Sequence, residues 1–181
     1  MKRNLFYLTY MAVLVTFAVV IHTVEAALPL PMPVPGVRLG LANIITLLAI
    51  VLYGLRSGLL VSVLRTLIGS FFTGGFLGFG FWLSLAGGAA ACLVMTLAVV
   101  LLRRGYLSLV SVSILGAVTH NLAQLAAASV IIANPALLRG YFPLLLLLGI
   151  PTGLFTGLAA HYLEGITRRI ICQAGGVGAA S

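Results

Sequence analysis

The sequence predicts an all-α integral membrane protein with six transmembrane helices in a single domain over residues 1–171, and three observations carry that prediction. Of 181 residues, 62% are hydrophobic and only 7% are charged, a balance foreign to water-soluble domains. The apolar residues fall into six runs separated by Gly, Pro or Arg. Because a bilayer-crossing helix takes about 20 apolar residues, the chain has room for roughly five to seven spans and no sizeable soluble domain.

The first run, residues 5–28, follows Lys2-Arg3 and ends where Pro29, Pro31, Pro33 and Pro35-Gly36 forbid a helix. The second, 39–54, is short and lies between Arg38 and Arg56. The third, 57–72, carries Arg65 near its middle, and Gly74-Gly75, Gly78 and Gly80 mark an irregular connection after it. The fourth, 81–102, stops at Arg103-Arg104-Gly105. The fifth, 107–133, is closed by Asn134-Pro135. The sixth, 141–171, exceeds what a bilayer requires, so its end near Arg168-Arg169 is expected in water, followed by a flexible small-residue tail over 172–181.

Orientation follows from the basic residues. With the N-terminus inside, Lys2, Arg3, Arg56, Arg103, Arg104, Arg168 and Arg169 are cytoplasmic, Arg38 and Arg139 are outside, and Arg65 stays within the membrane. Both termini are then cytoplasmic, in a multi-pass protein of a cell membrane. A competing reading is a cleaved signal peptide ending near Val24-Glu25-Ala26. Against it, the apolar stretch is longer than the roughly 7–15 residues of such segments.

Composition also excludes function classes. Nucleotide hydrolysis takes a glycine-rich loop ending in Lys and an acid for Mg²⁺, yet the one lysine is Lys2 and the chain has no Asp. Glu25 and Glu164, the only acids, are too far apart in sequence to form the local carboxylate cluster of a metal-dependent prenyl transferase. Cys92 and Cys172 have no metal-ligand spacing and are expected as free thiols. No catalytic residue, cofactor or metal site is expected. The formal charge of +8 sits at the ends of apolar runs, where anchoring explains it better than nucleic-acid binding does.

The polar residues inside the runs are the candidate site. An arginine at membrane depth costs at least about 2.5–3.5 kcal/mol on insertion scales, so Arg65 calls for a structural partner or an anionic ligand. Glu25, paired with Arg65 or Arg38, still leaves a net positive site. His120 and Gln124 share one helical face, with Asn121 adjacent, and serve either a ligand or interhelical bonds. Arg38 and Asn43 stand where the outer loop enters the second run. His22 and Glu25 share a face near the outer end of the first. With N-in topology these groups line an outward-opening cavity. The rings of Phe71, Phe72, Phe76, Phe79, Phe81 and Trp82 form either an interfacial belt or a lid. Gly149, Gly153 and Gly157 at four-residue spacing let another helix approach, from within the bundle or from a partner. Ala12 and Thr16 are a weaker pair of the same kind.

The stretches Pro35-Gly36-Val37-Arg38-Leu39-Gly40-Leu41-Ala42-Asn43, Arg65-Thr66-Leu67-Ile68-Gly69, Ser84-Leu85-Ala86-Gly87-Gly88 and His120-Asn121-Leu122-Ala123-Gln124 together resemble the Gx transporter family, also labelled heptaprenyl diphosphate synthase component I. The resemblance covers about residues 5–170. That family is in turn similar to the S components of energy-coupling factor transporters. The resemblance implies a six-helix subunit of the bacterial plasma membrane that holds a small-molecule micronutrient, with a coupling membrane protein and two ATPase subunits as partners. S components often dock through an Ala-xxx-Ala face on the first helix, for which the nearest match here is Ala12-xxx-Thr16. The alternative function is a non-catalytic membrane subunit of an isoprenoid, prenyl diphosphate or quinone enzyme system.

Overall fold

The computed structural model describes residues 2–28 and 37–176. Six helices follow one another: α1 (Lys2–Ala27), α2 (Asn43–Tyr53), α3 (Leu55–Phe72), α4 (Phe79–Arg103), α5 (Leu109–Ile131) and α6 (Ala136–Gly176). The described residues contain no strand. All helices except α2 are long and apolar enough to cross a membrane. The Pro-rich loop over 29–36 lies outside the described residues. Of the tail expected over 172–181, residues 172–176 continue α6 and the rest also lie outside.

The run read as residues 39–54 is helical only from Asn43. Eleven residues make a rod of about 16 Å, roughly half the hydrocarbon thickness. Every residue from Asn43 to Val51 is buried. A short helix that is apolar apart from Asn43 and Thr46 has no polar face to give to water, and here α1, α3, α4, α5 and α6 all pack around it. The remainder of this central column is the irregular segment Val37–Ala42. Non-helical backbone at such depth is tolerated only where protein groups satisfy it, and the site described below consists of those groups.

Two apolar clusters flank the site. The larger joins Met11, Leu14 and Ala18 of α1 to Leu47 and Ile50 of α2, Val61 of α3, and Ala91 and Met95 of α4. The smaller, at the other end of the bundle, joins Val37, Leu83, Leu125, Ala128 and Leu145. Hydrogen bonds identify which helix ends lie together. Tyr7 near the start of α1 bonds Ser57 at the start of α3, 2.9 Å, and Arg103 at the end of α4 reaches the Val51 carbonyl near the end of α2, 3.4 Å. Ser108 caps α5 at this same end, its Oγ accepting the Ser111 N–H at 3.1 Å. The end of α1 and the beginning of α2 lie at the opposite end.

The glycine stripe of α6 is spent inside the chain. A Cβ at Gly153 would lie 2.4 Å from the Cα of Ile114, one at Gly157 2.8 Å from the Cα of Val110, and one at Gly149 3.0 Å from the Cα of Val118. Gly149, Gly153 and Gly157 therefore seat α6 on the backbone of α5, which corrects their reading as a partner-docking face: no room is left there for another helix. Ala12 and Thr16, in contrast, are exposed on the outer face of α1.

Candidate functional site

The site begins with the chain's need to bring Arg38–Ala42 into the bundle as irregular backbone. Its N–H groups have no helical partners there, and each unpaired one would cost several kcal/mol in lipid. Gln124 of α5 accepts the Arg38 N–H at 2.8 Å. The carboxylate of Glu25 accepts two more, with Oε1 2.6 Å from Gly40 N and Oε2 3.1 Å from Leu41 N. Gly40 makes this possible at φ +81°, in the left-handed region that turns adjacent N–H groups toward one point. A side chain there would also collide with His120 Cδ2 at 2.7 Å and Asn43 Nδ2 at 2.8 Å.

Around this segment the polar side chains interlock. Gln124 uses its amide carbonyl on Arg38 and donates from Nε2 to His120 Nε2, one turn away on α5. The Arg38 guanidinium donates to Nε2 of His22 on α1. Arg65, on α3, is 2% exposed and donates from one terminal nitrogen to Asn43 Oδ1 at 2.7 Å. Two adjacent glycines of α4 admit these groups. A Cβ at Gly87 would meet Gln124 Cγ at 2.8 Å, and one at Gly88 would meet Ser62 Oγ at 2.4 Å and the Arg65 guanidinium at 3.4 Å.

His22, Glu25, Arg38, Gly40, Arg65, Ser84 and His120 line one small void with no room for a water molecule. Several buried donors facing this region have no hydrogen-bond partner: Arg65 Nε, Asn43 Nδ2 and Ser84 Oγ. Two guanidiniums and one carboxylate converge, so the site carries a net positive charge while Glu25 is ionised. Unsatisfied donors beside uncompensated positive charge form an environment that an anion stabilises.

The structure brings together His22, Glu25, Arg38, Asn43, Arg65, His120 and Gln124. Asn121 is different. Its Nδ2 donates to the Leu145 carbonyl of α6 at 3.1 Å, so it ties α5 to α6 and does not line the void. One residue is about 100° of helix rotation, which turns Asn121 away from the face shared by His120 and Gln124. Glu25 also departs from the expected arginine pairing, since its hydrogen bonds go to backbone. Sequence reasoning missed Ser84 and Gly40. The signal for Ser84 is a lone hydroxyl one turn before Gly87-Gly88 in an apolar helix. None of the aromatic residues lines the void; Phe71, Phe72, Phe76 and Trp82 are exposed, an arrangement that fits a belt and not a lid. Among the described residues no three His, Cys, Asp or Glu side chains gather as metal ligands.

Comparison with known proteins bears on both fold and family. A solved structure of the S component of a bacterial ECF transporter is similar to this chain, with a TM-score of 0.58 over 90% of this chain and 98% of that one, at 15% identity. That likeness establishes a shared S-component fold. Curated proteins gave no match. The family model described as heptaprenyl diphosphate synthase component I matches residues 14–163, which include every polar residue of the candidate site, and the chain belongs to that family.

Proposed function

We propose that this chain is the substrate-capturing membrane subunit of an energy-coupled uptake system, and that it takes a small molecule with an anionic head group. The observation that carries the reading is the meeting of Arg38, Arg65 and the unpartnered donors Arg65 Nε and Ser84 Oγ around one small void, with the unpartnered Asn43 Nδ2 beside Gly40 at its edge. An apolar bundle keeps one buried guanidinium and one half-buried guanidinium with so little neutralisation when a ligand completes them. Orientation by the positive-inside rule puts both termini in the cytoplasm and the site in the outer half of the membrane. ATP hydrolysis then belongs to two partner ATPases acting through a coupling membrane protein, for which the exposed Ala12–Thr16 face of α1 is the docking candidate.

The family description supports a second reading, a non-catalytic membrane subunit beside a prenyl diphosphate enzyme. It also narrows the ligand, because a diphosphate on an isoprenoid chain suits two arginines within an apolar bundle. Affinity purification of the tagged chain from its native membrane in mild detergent, with mass spectrometry of proteins and small molecules, separates the two. An ATPase pair with a coupling protein is the expected result. Recovery of a prenyl transferase instead would replace the uptake reading with the second one.

A further inference from the structure

The carboxylate of Glu25 is in an unusual position for its neighbourhood. It is 4% exposed and lies among two guanidiniums, yet both its oxygens are used on the Gly40 and Leu41 N–H groups. A carboxylate free to choose takes an arginine fork in a bidentate pair. Here the forks point elsewhere: Arg65 to Asn43 and Arg38 to His22, with Arg65 Nε left over. The paired N–H groups, turned to one point by Gly40, stand immediately before the N-terminus of α2, where backbone dipoles favour negative charge. They form an anion seat, and an anion of the protein's own occupies it.

We propose that Glu25 is a resident stand-in for the ligand's anionic group, and that ligand binding exchanges one for the other on the Gly40 and Leu41 N–H groups. The inference rests on the anion-binding reading above and adds how that site is kept and opened. The void does not hold even a water molecule, so something must leave before a phosphate head group enters. Glu25 is the group best placed to leave. It lies in the last turn of α1, and among the helices the backbone of α1 packs only against α2 and α3, at the edge of the bundle. Its departure raises the local charge from one net positive to two, matching an incoming diphosphate better than a monoanion. Until then Glu25 satisfies backbone donors that would otherwise be orphaned in the membrane.

The test uses the full chain in detergent with inorganic pyrophosphate as the probe, comparing wild type with E25Q, E25A and R65Q by calorimetric titration. Removing the competing charge in E25Q should tighten pyrophosphate binding by about tenfold or more, while R65Q loses it. Hydrogen exchange gives an independent readout: the Gly40 and Leu41 amides should be protected in wild type, exposed in E25A, and protected again when pyrophosphate is added to E25A. Should E25Q misfold, E25A supplies both measurements. Equal or weaker binding in E25Q and E25A, with R65Q still losing the probe, overturns the exchange and leaves the anion site standing. No pyrophosphate binding in any of the proteins, with the E25A amides still exposed, removes the anion-site reading and the exchange together.

Discussion

Each end of α2 meets a charge of the sign its dipole favours, but by opposite means. At the N-terminal end a buried carboxylate accepts two backbone N–H groups at 2.6 and 3.1 Å, beside a narrow void lined by arginine and histidine. At the C-terminal end an exposed arginine, Arg103, reaches the Val51 carbonyl at 3.4 Å, beside a cavity of about 470 Å³ that also borders Ser108, His161 and Glu164. The dipole alone calls for only about 0.3–1 kcal/mol of compensation at either terminus, and the C-terminal arrangement is on that scale. The N-terminal arrangement goes far beyond it, drawing hydrogen-bonding groups from α1, α3 and α5 around the segment that precedes the helix. That excess is what distinguishes a site from a helix cap.

The contrast makes graded predictions. The largest effect should come from Arg65: R65Q removes a buried charge whose donors face the void, so affinity for pyrophosphate should fall by about 2–5 kcal/mol, read by titration of a protein whose circular dichroism is unchanged. Retained affinity would demote the N-terminal end to an elaborate cap. Next comes the scaffold both ends share. Gly153→Val drives a side chain into the Ile114 backbone and should lower stability by about 1–3 kcal/mol in thermal unfolding, loosening both ends alike. Gln124→Ala leaves the Arg38 N–H and His120 Nε2 without partners, at about 1 kcal/mol or more each, and should weaken ligand binding as well as the fold. Arg103→Ala should be the mildest, under about 1 kcal/mol in stability and without effect on pyrophosphate affinity. A binding defect in that variant would join the two ends energetically and dissolve the distinction between them.

How much of this could be read in the sequence differs between the same two regions. The six helices were legible because apolar runs and their Gly, Pro and Arg boundaries are local signals. So was the convergence of Arg38, Asn43, Arg65, His120 and Gln124, since buried polar groups in an apolar bundle have few places to go. The destination of Glu25 was not legible. It depends on Gly40 taking φ +81° and on α1 ending beside that turn, which are tertiary facts. Asn121 was readable with more care, since a single step around a helix separates it from the face of His120. The glycine stripe of α6 gave its close approach plainly but not its partner, because spacing says that a backbone comes near and not whose.

The shortness of α2 bears on how the chain is made. A segment of about 16 Å bounded by Arg38 and Arg56 cannot hold itself across a bilayer, so it has to wait in the aqueous interface until later segments arrive to receive it. The positive turn of Gly40 and the seat it forms are therefore assembled late, after α3 and its neighbours are in place. A cysteine introduced by Leu47→Cys should react with a membrane-impermeant reagent in a chain truncated after Gly54 and be protected in the full-length protein. The binding site, on this account, is also the last seam of the protein to close.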